Sequence, residues 1–251
     1  MEYNVRRYRE HFREDRWRGF VVKQKESDLW IGVDKSSFRP EMPAFCDSVI
    51  IALRKEMEAY LAKDPGYAEA LVPYNAGKEA PEIFRQMSAV AQKSRIGPMS
   101  AVAGAVSFHV AQALKQQFPI REAVVENGGD IYADIREEMD VAVFAGASPL
   151  SEKVGLHIPA SGTPLGICTS SGTVGPSLSF GLADAVMIVC KDVLLADSYA
   201  TAFANFVRTP EDIQPVLERI KNTEEILGAI LIKDDKMGVV GQFELKFFNP
   251  Q

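Results

Sequence analysis

The sequence predicts an α/β protein of the α+β kind, in which helices pack against mixed sheets. Two observations lead to this fold class. Apolar residues recur at helical spacing in segments such as 49–61 and 98–118, and short β-rich runs dominate from residue 122 onward. The 251 residues are 47% apolar and 25% charged, which suffices for a sizeable core without disulfides. We predict a single domain over residues 1–251, because no linker or tandem repeat interrupts the chain.

The N-terminal half predicts one hairpin followed by three helices. Two β-rich runs over residues 19–33 flank a turn at Ser27-Asp28. Helices are expected at residues 49–61 and 81–93, and Asp64-Pro65-Gly66 ends the first of them. Both helices show apolar residues on one face, which indicates that they pack on a core.

The third helix, over residues 98–118, is poor in large side chains. Pro98 suits its first turn, and Ala101, Gly104 and Ala105 keep part of its surface small. A small surface lets a neighbouring backbone or a flat ligand approach closely. Two interpretations stay open at this point, a tightly packed core helix and a binding surface.

The C-terminal half predicts six strands, two helices and a final set of two or three strands. Asp192 is placed to cap a helix that runs to Val207. Thr209 to Asp212 resemble a capping box with Pro210 at the first helical position, opening a helix to Lys221. The strands are expected at residues 123–126, 131–135, 141–144, 156–158, 165–168 and 185–190, and between residues 226 and 248.

Charge and cysteine content restrict the class of protein. The 28 basic and 34 acidic residues give a net charge of −6, opposite to that of a typical nucleic-acid-binding domain. Residues 1–18 have no signal-peptide core, and no stretch reaches the roughly 18 apolar residues that span a bilayer. Cys46, Cys168 and Cys190 form no Cys-x-x-Cys pair, which suits reduced thiols. We expect a cytoplasmic protein with no nucleic-acid or membrane partner.

The first of three stretches that could carry chemistry is the turn around residue 128. Asn127, Gly128, Gly129 and Asp130 lie between two β-rich runs, which favours a tight hairpin. Adjacent glycines at a strand end would also let the backbone approach a ribose or phosphate. Both interpretations predict the same turn.

The second stretch, residues 169–181, contains six hydroxyl side chains and three glycines. It begins Thr169, Ser170, Ser171, Gly172, and it is not a Walker A loop because no Gly-Lys-Ser/Thr ends it. Its hydroxyls could donate hydrogen bonds to an anion. The alternative is a surface loop between strands.

The third stretch places Asp197 and Thr201 four residues apart on the helix after Asp192, so that both project from one face. A carboxylate and a hydroxyl form a partial shell for Mg²⁺, which takes further oxygens from water and phosphate. The alternative is an amphipathic helix with an exposed aspartate and a threonine bonded to its own backbone.

In this order, the three stretches resemble the ApbE family of FAD:protein FMN transferases. The matching pieces are residues 127–131, 169–172 and 196–202, and the helix at 98–118 occupies the place of the family's Lys-Gly-Tyr helix. The resemblance covers about residues 97–205 and indicates a divergent, soluble, stand-alone branch of the ApbE-like superfamily.

The resemblance implies an ApbE-like fold with a cleft for a flavin nucleotide. It implies Mg²⁺ as a cofactor, with Asp197 and Thr201 as ligands helped by a backbone carbonyl near Val102. FAD or FMN, or a related dinucleotide, would lie along the 127–130 turn and the 169–172 stretch. The family attaches FMN to a Ser or Thr hydroxyl of an acceptor protein and releases AMP.

Two parts of the sequence depart from the family pattern. Ala103-Gly104-Ala105 stands where the family has Lys-Gly-Tyr, and Phe108 stands at the family's Asp position. Residues 175–180 lack the family's histidine, a candidate proton acceptor. The hypotheses are therefore an Mg²⁺-dependent transferase, a non-catalytic flavin- or nucleotide-binding protein that has lost the transferase residues, and, third, a structural protein.

No histidine is assigned a role from the sequence. His109 lies between Phe108 and Val110, which favours a core or helix-face position, whereas His11 and His157 have no acidic or thiol partner nearby in sequence. Cys168 precedes the hydroxyl-rich stretch without an activating charge and is predicted to be a small apolar residue.

Overall fold

The structure, a computed structural model, describes residues 16–174 and 179–248. The expectations for residues 1–15, including His11, and for residues 175–178 lie outside the described residues. The described chain forms two antiparallel sheets and a layer of helices, which confirms the mixed fold class.

The main sheet has eight strands in the order β1-β2-β3-β4-β7-β8-β9-β10, and the second sheet has three in the order β11-β6-β5. Every neighbouring pair is antiparallel. The strands are β1 Trp17–Gln24, β2 Ser27–Asp34, β3 Ala123–Asn127, β4 Asp130–Asp134, β5 Met139–Ala142, β6 Val154–Ile158, β7 Leu165–Ser170, β8 Ala185–Cys190, β9 Ile226–Lys233, β10 Lys236–Gly241 and β11 Glu244–Phe247.

The helices pack on one face of the main sheet. Short 3-10 turns at Pro98–Ala101 and Pro210–Asp212 precede the fourth and sixth of them. Within the described residues, no helix is both long and apolar enough to cross a membrane. The helices are α1 Met42–Lys63, α2 Pro65–Glu69, α3 Glu82–Ser94, α4 Val102–Gln117, α5 Val193–Ala204 and α6 Ile213–Lys221.

The inner strands β3, β4 and β8 of the main sheet are buried on both faces. Successive residues of a strand point to opposite faces, so Val125 joins the core beneath the helices while Val124 joins the core beneath the second sheet. All residues of β8 are buried for the same reason, which explains its continuous apolar sequence.

Most predicted elements are confirmed, with corrections at their ends. The N-terminal hairpin turns at Lys25-Glu26 rather than at Ser27-Asp28, because Lys25 adopts a positive φ of 52° and Ser27 already pairs with Gln24. The small-residue helix starts as a 3-10 turn at Pro98.

Both predicted helix caps are present. Asp192 accepts hydrogen bonds from the backbone N–H groups of Leu194 (2.9 Å) and Leu195 (3.3 Å), and α5 ends at Ala204, three residues earlier than expected. Asp212 accepts a hydrogen bond from the Thr209 N–H at 2.8 Å, as in a capping box. The first turn after this cap is a 3-10 turn rather than a turn of α-helix.

Residues 64–81, called here the wall segment, form a structure that the sequence pattern did not predict. The Tyr67 side chain is fully buried, and its hydroxyl donates to the Phe84 carbonyl at 2.8 Å. The Ser88 hydroxyl bonds to the Tyr67 hydroxyl at 3.2 Å and accepts from the Ala76 N–H at 2.9 Å. These bonds hold the wall segment against α3.

Candidate functional site

A cavity of about 530 Å³ lies where the β3–β4 turn, the start of α4 and the middle of α5 meet. This volume is within the range of small-molecule and cofactor sites. Two residues expected at the site, Asn127 and Gly172, are not among the residues that line the cavity. The Asn127 amide donates to the Ala103 carbonyl, and the Gly172 N–H donates to the Ala183 carbonyl. The site residues expected from the sequence that line the cavity are Gly128, Gly129, Asp130, Thr169, Ser170, Ser171, Asp197 and Thr201.

The β3–β4 turn is the tight hairpin that the sequence predicts, and it also faces the cavity. Gly128 and Gly129 have φ values of 71° and 104°, and Asn127 pairs with Asp130 across the turn. Glu126, a fully buried residue that sequence reasoning missed, accepts the Gly129 N–H at 2.8 Å. The Gly129 N–H is therefore already hydrogen-bonded within the protein, and the Glu126 carboxylate stabilises the conformation of the turn.

Asp197 is a buried carboxylate and not the exposed residue of the amphipathic alternative. Its side chain lies on α5, the residue is only 6% exposed, and Oδ2 accepts the Gly104 N–H at 2.7 Å. Burial raises the pKa of Asp197 to about 7, although the N–H groups of Gly104 and Ala103 oppose part of this rise. The Asp197 carboxyl group therefore exchanges its proton near neutral pH.

The small residues of α4 allow this contact. A Cβ atom on Gly104 would lie 2.8 Å from the Val193 carbonyl oxygen and 3.2 Å from Asp197 Oδ2. The close approach of a neighbouring helix, one of the two interpretations of residues 98–118, is therefore what the structure shows.

The Thr201 hydroxyl lies one turn beyond Asp197 and donates to the Ser170 hydroxyl at 3.4 Å. Among the described residues, no salt bridge involves Asp197, so its charge has no basic side-chain partner. An unneutralised buried carboxylate beside two hydroxyls fits a hard cation such as Mg²⁺. The described chain holds no cluster of three or more His, Cys, Asp or Glu at metal-binding spacing, so such a cation would take its other oxygens from water and ligand.

The rest of the cavity lining is mostly apolar and contains, among the described residues, no Lys, Arg or His. Asp130 and Asp197 are its acidic side chains. The apolar lining residues come from two parts of the fold. Ala68, Ala70, Leu71, Ile96, Met99 and Val102 belong to the helical layer and its connections, and Ile131, Val141, Ala142, Phe144, Val174 and Met187 belong to the strands and the segments that follow them.

The loop after β7 carries a hydrogen-bonded group of side chains beside the cavity. Ser171 Oγ accepts the N–H groups of Thr173 at 3.0 Å and Val174 at 2.9 Å. The Thr173 hydroxyl donates to Asp184 Oδ1 at 3.0 Å. Sequence reasoning missed Asp184, because only the folding of the loop brings it to Thr173.

A chain of buried hydroxyls fixes α5 beside the cavity. Ser198, which is fully buried, lies 2.6 Å from the Ser94 hydroxyl and 2.9 Å from the Ser100 hydroxyl. Ser100 lines the cavity and donates to the Gly97 carbonyl at 2.7 Å. The residue next to Asp197 therefore ties α5 to α3 and to the turn that precedes α4.

His109 and His157 do not line the cavity, whereas Cys168 pairs with Asp130 across neighbouring strands, directly beside the polar residues of the cavity. His109 Nε2 bonds to Gln86 Oε1 at 2.8 Å, and burial lowers the pKa of His109, as expected for a helix-face histidine. His157 does have an acidic partner, Asp140 Oδ1 at 2.7 Å, which strand pairing supplies across 17 residues. Cys168 is fully buried, and burial raises its pKa, in keeping with a small apolar role.

The wall segment reaches the cavity through a contact that requires glycine at position 97. A Cβ atom there would collide with the backbone carbonyl of Ala70. We expect Gly97→Ala to lower the free energy of unfolding by about 2 kcal/mol, because overpacking forces the backbone to shift. Gly77→Ala is the matched control, since no atom lies within 4 Å of its Cβ position. Equal denaturant midpoints for the two variants would contradict the contact.

This architecture defines the class of protein. The fold matches the solved structure of the flavinyl transferase ApbE from Pseudomonas stutzeri, with a TM-score of 0.59, 14% identity, and coverage of 89% of this chain and 93% of that chain. It also matches flavin transferase ApbE from Vibrio cholerae, with a TM-score of 0.60, 11% identity, and coverage of 89% and 96%. The chain therefore has the ApbE-like fold that its sequence motifs predict.

The family follows from sequence comparison. The family model described as "AbpE bacteria" matches residues 9–238, so the chain belongs to this family, a divergent ApbE-like branch. UPF0280 proteins of archaea are similar over most of their length. That of Methanocella arvoryzae is 40% identical over 78% of this chain and 80% of its own, and that of Methanocaldococcus jannaschii is 32% identical over 87% and 88%.

Proposed function

We propose that this protein is an Mg²⁺-dependent transferase that acts on FAD or a related dinucleotide and transfers its FMN or nucleotidyl part. One observation carries the proposal. The 128–130 turn, Ser170 with Ser171, and the pair Asp197 and Thr201 come from distant parts of the chain and line one cavity. Similarity to the flavin transferases named ApbE supports the same reaction class.

Asp197 and Thr201 would hold the cation, with the Asp197 carboxylate ionised when it binds. Bound Mg²⁺ would supply charge neutralisation at the pyrophosphate. The N–H groups of Gly104 and Ala103 keep the Asp197 side chain in place, and Ser170 accepts from Thr201. Each ligand atom is thereby oriented before any substrate arrives, which reduces the cost of binding.

The distribution of apolar residues supports a dinucleotide. A dinucleotide has two flat ring systems joined by a charged pyrophosphate, and this cavity combines apolar lining residues from two parts of the fold with a set of polar residues. Because no basic side chain lines the described cavity, the pyrophosphate would depend on the metal for charge compensation.

A second candidate function is a flavin- or nucleotide-binding protein that has lost transfer chemistry. The observation that favours it is the same lack of Lys, Arg and His among the described lining residues, since His is the commonest general base. Release of AMP from FAD separates the two candidates, because a binding protein leaves the dinucleotide intact.

The proposal extends to partners and location. A transferase of this class needs an acceptor hydroxyl, so a protein with an accessible Ser or Thr is a candidate partner. The three cysteines are buried and free, which suits the reducing cytoplasm, and the net charge of −6 disfavours nucleic acid.

Ligand-induced stabilisation tests the proposed ligand. With FAD and MgCl₂ at a hundred times the Kd, we expect about 2.7 kcal/mol of added unfolding free energy, measured by thermal melting. Asp235→Asn, which removes an exposed carboxylate far along the chain, serves as a control that keeps the response. No shift with FAD, FMN, ADP or AMP in the presence of Mg²⁺ would refute the dinucleotide proposal.

A further inference from the structure

Ser171 has the surroundings of an activated hydroxyl. It lines the cavity directly after Ser170, whose hydroxyl accepts from Thr201 of the candidate metal site. Ser171 Oγ already accepts two backbone N–H groups, from Thr173 at 3.0 Å and Val174 at 2.9 Å. Two fixed donors aimed at one oxygen stabilise the negative charge that the oxygen gains when it loses its proton.

A path for that proton leads from Ser171 to a carboxylate. Ser171 Oγ lies 3.3 Å from both the Ala183 carbonyl oxygen, to which it donates, and Thr173 Oγ1, so a small rotation of the hydroxyl directs its proton to Thr173. The Thr173 hydroxyl donates to Asp184 Oδ1 at 3.0 Å. Asp184 is 8% exposed, and its other oxygen accepts the Asp234 N–H at 2.6 Å, which fixes the carboxylate. Lys233 Nζ lies 3.6 Å from the same Oδ2 atom. A nucleophile, a base and a group that orients the base are the parts of an activated hydroxyl.

We propose that Ser171 is an acceptor hydroxyl of the transfer reaction, so that the protein becomes esterified on its own chain. This inference rests on the proposed function. It also supplies the missing proton acceptor, because Asp184, reached through Thr173, takes the place of a histidine in the cavity.

The step balances in atoms and charge. Ser171 Oγ forms a bond to the FMN-side phosphorus of FAD, and the bond from that phosphorus to the bridging oxygen breaks. AMP leaves with the bridging oxygen and its electron pair. The Ser171 proton passes to Thr173 Oγ1 while the Thr173 proton passes to Asp184 Oδ1. The product is a phosphoester between FMN and Ser171, and no oxidant or reductant takes part.

Intact-protein mass spectrometry tests this inference on the full chain with FAD and MgCl₂. The expected result is a mass gain of one FMN less one water, mapped to the peptide that holds Ser171, with one AMP released per adduct. AMP release without an adduct overturns the inference but leaves the transferase proposal standing. A melting shift with FAD and MgCl₂ but neither AMP nor adduct overturns both. An adduct mapped to Thr173 or to any other residue overturns the assignment to Ser171.

Variants separate the relay from folding. Thr173→Val removes the relay hydroxyl and keeps the Ser171 oxygen, so we expect adduct formation to slow about 100-fold or more, while the melting shift with FAD and MgCl₂ persists. Thr173→Ser should restore the rate, and Ser171→Ala should give no adduct. Ser161→Ala, which removes an exposed hydroxyl on another turn, is the control with unchanged rate. A Thr173→Val rate equal to that of the parent overturns the relay.

Discussion

Replacing Asp197 by asparagine is expected to weaken Mg²⁺ binding strongly while leaving the metal-free protein at least as stable as the parent at pH 8. The asparagine carbonyl can still accept the Gly104 N–H, but it carries no charge for the cation. Burial also penalises the carboxylate charge that the substitution removes. We expect Mg²⁺ affinity to fall by about 100-fold or more, beyond the usual cost of losing a residue that supports a metal ligand.

Calorimetric titration with Mg²⁺ and thermal melting of metal-free protein measure the two parts of this prediction. Asp235→Asn, an exposed acid paired with Lys236, is the matched control and should change neither quantity. An Asp197→Asn variant that keeps Mg²⁺-dependent AMP release would show that the metal site lies elsewhere.

The second prediction concerns pH. Burial raises the pKa of Asp197 from 3.8 to about 7, so the folded protein holds a proton there at pH values where the unfolded chain has lost it. The stabilisation from this group is fully present below the unfolded pKa and is lost as the pH rises through about 7. Mg²⁺ needs the ionised form, so its affinity should fall about tenfold per pH unit below that value and level off above it.

Titrations of Mg²⁺ between about pH 5.5 and pH 8.5 test this dependence, since they bracket the pKa of the buried carboxyl group. In the parent protein the affinity should rise with pH and then reach a plateau. A pH-independent affinity across this range would mean that Asp197 is not the group that exchanges a proton for the cation.

Local chemistry explains which features the sequence could predict. The β3–β4 turn needs two residues with positive φ, and two consecutive glycines meet that need whatever the rest of the fold does. The Asp192 cap is likewise decided within three residues, because its carboxylate accepts from Leu194 and Leu195. Such features depend on neighbours in sequence, and the structure confirms them.

Long-range packing explains what the sequence could not predict. The contact between Asp197 and the Gly104 N–H joins residues 93 positions apart, and it turns a residue that resembles an exposed acid into a buried one. The bond from Thr173 to Asp184 and that from Glu126 to Gly129 depend on how the loop and the hairpin fold back. Each also adds a role that no short motif describes.

The wall segment shows a third kind of difficulty. Its five-residue helix α2 is too short for a periodic pattern, and the burial of Tyr67 depends on α3, whose Phe84 carbonyl accepts the tyrosine hydroxyl. Only the assembled fold reveals that Ala68, Ala70 and Leu71 of this segment line the cavity.

The β3–β4 turn stands where both cores of the molecule meet the same cavity. Tyr132 of β4 belongs to the core under the helices, and Ile131 beside it belongs to the core under the second sheet. A ligand bound at this turn would stabilise the packing of both the helical layer and the second sheet. Amide deuterium exchange would then slow together in the helices on one face of the main sheet and in the second sheet on its other face. A ligand in a single cavity would thereby reduce local opening in both layers.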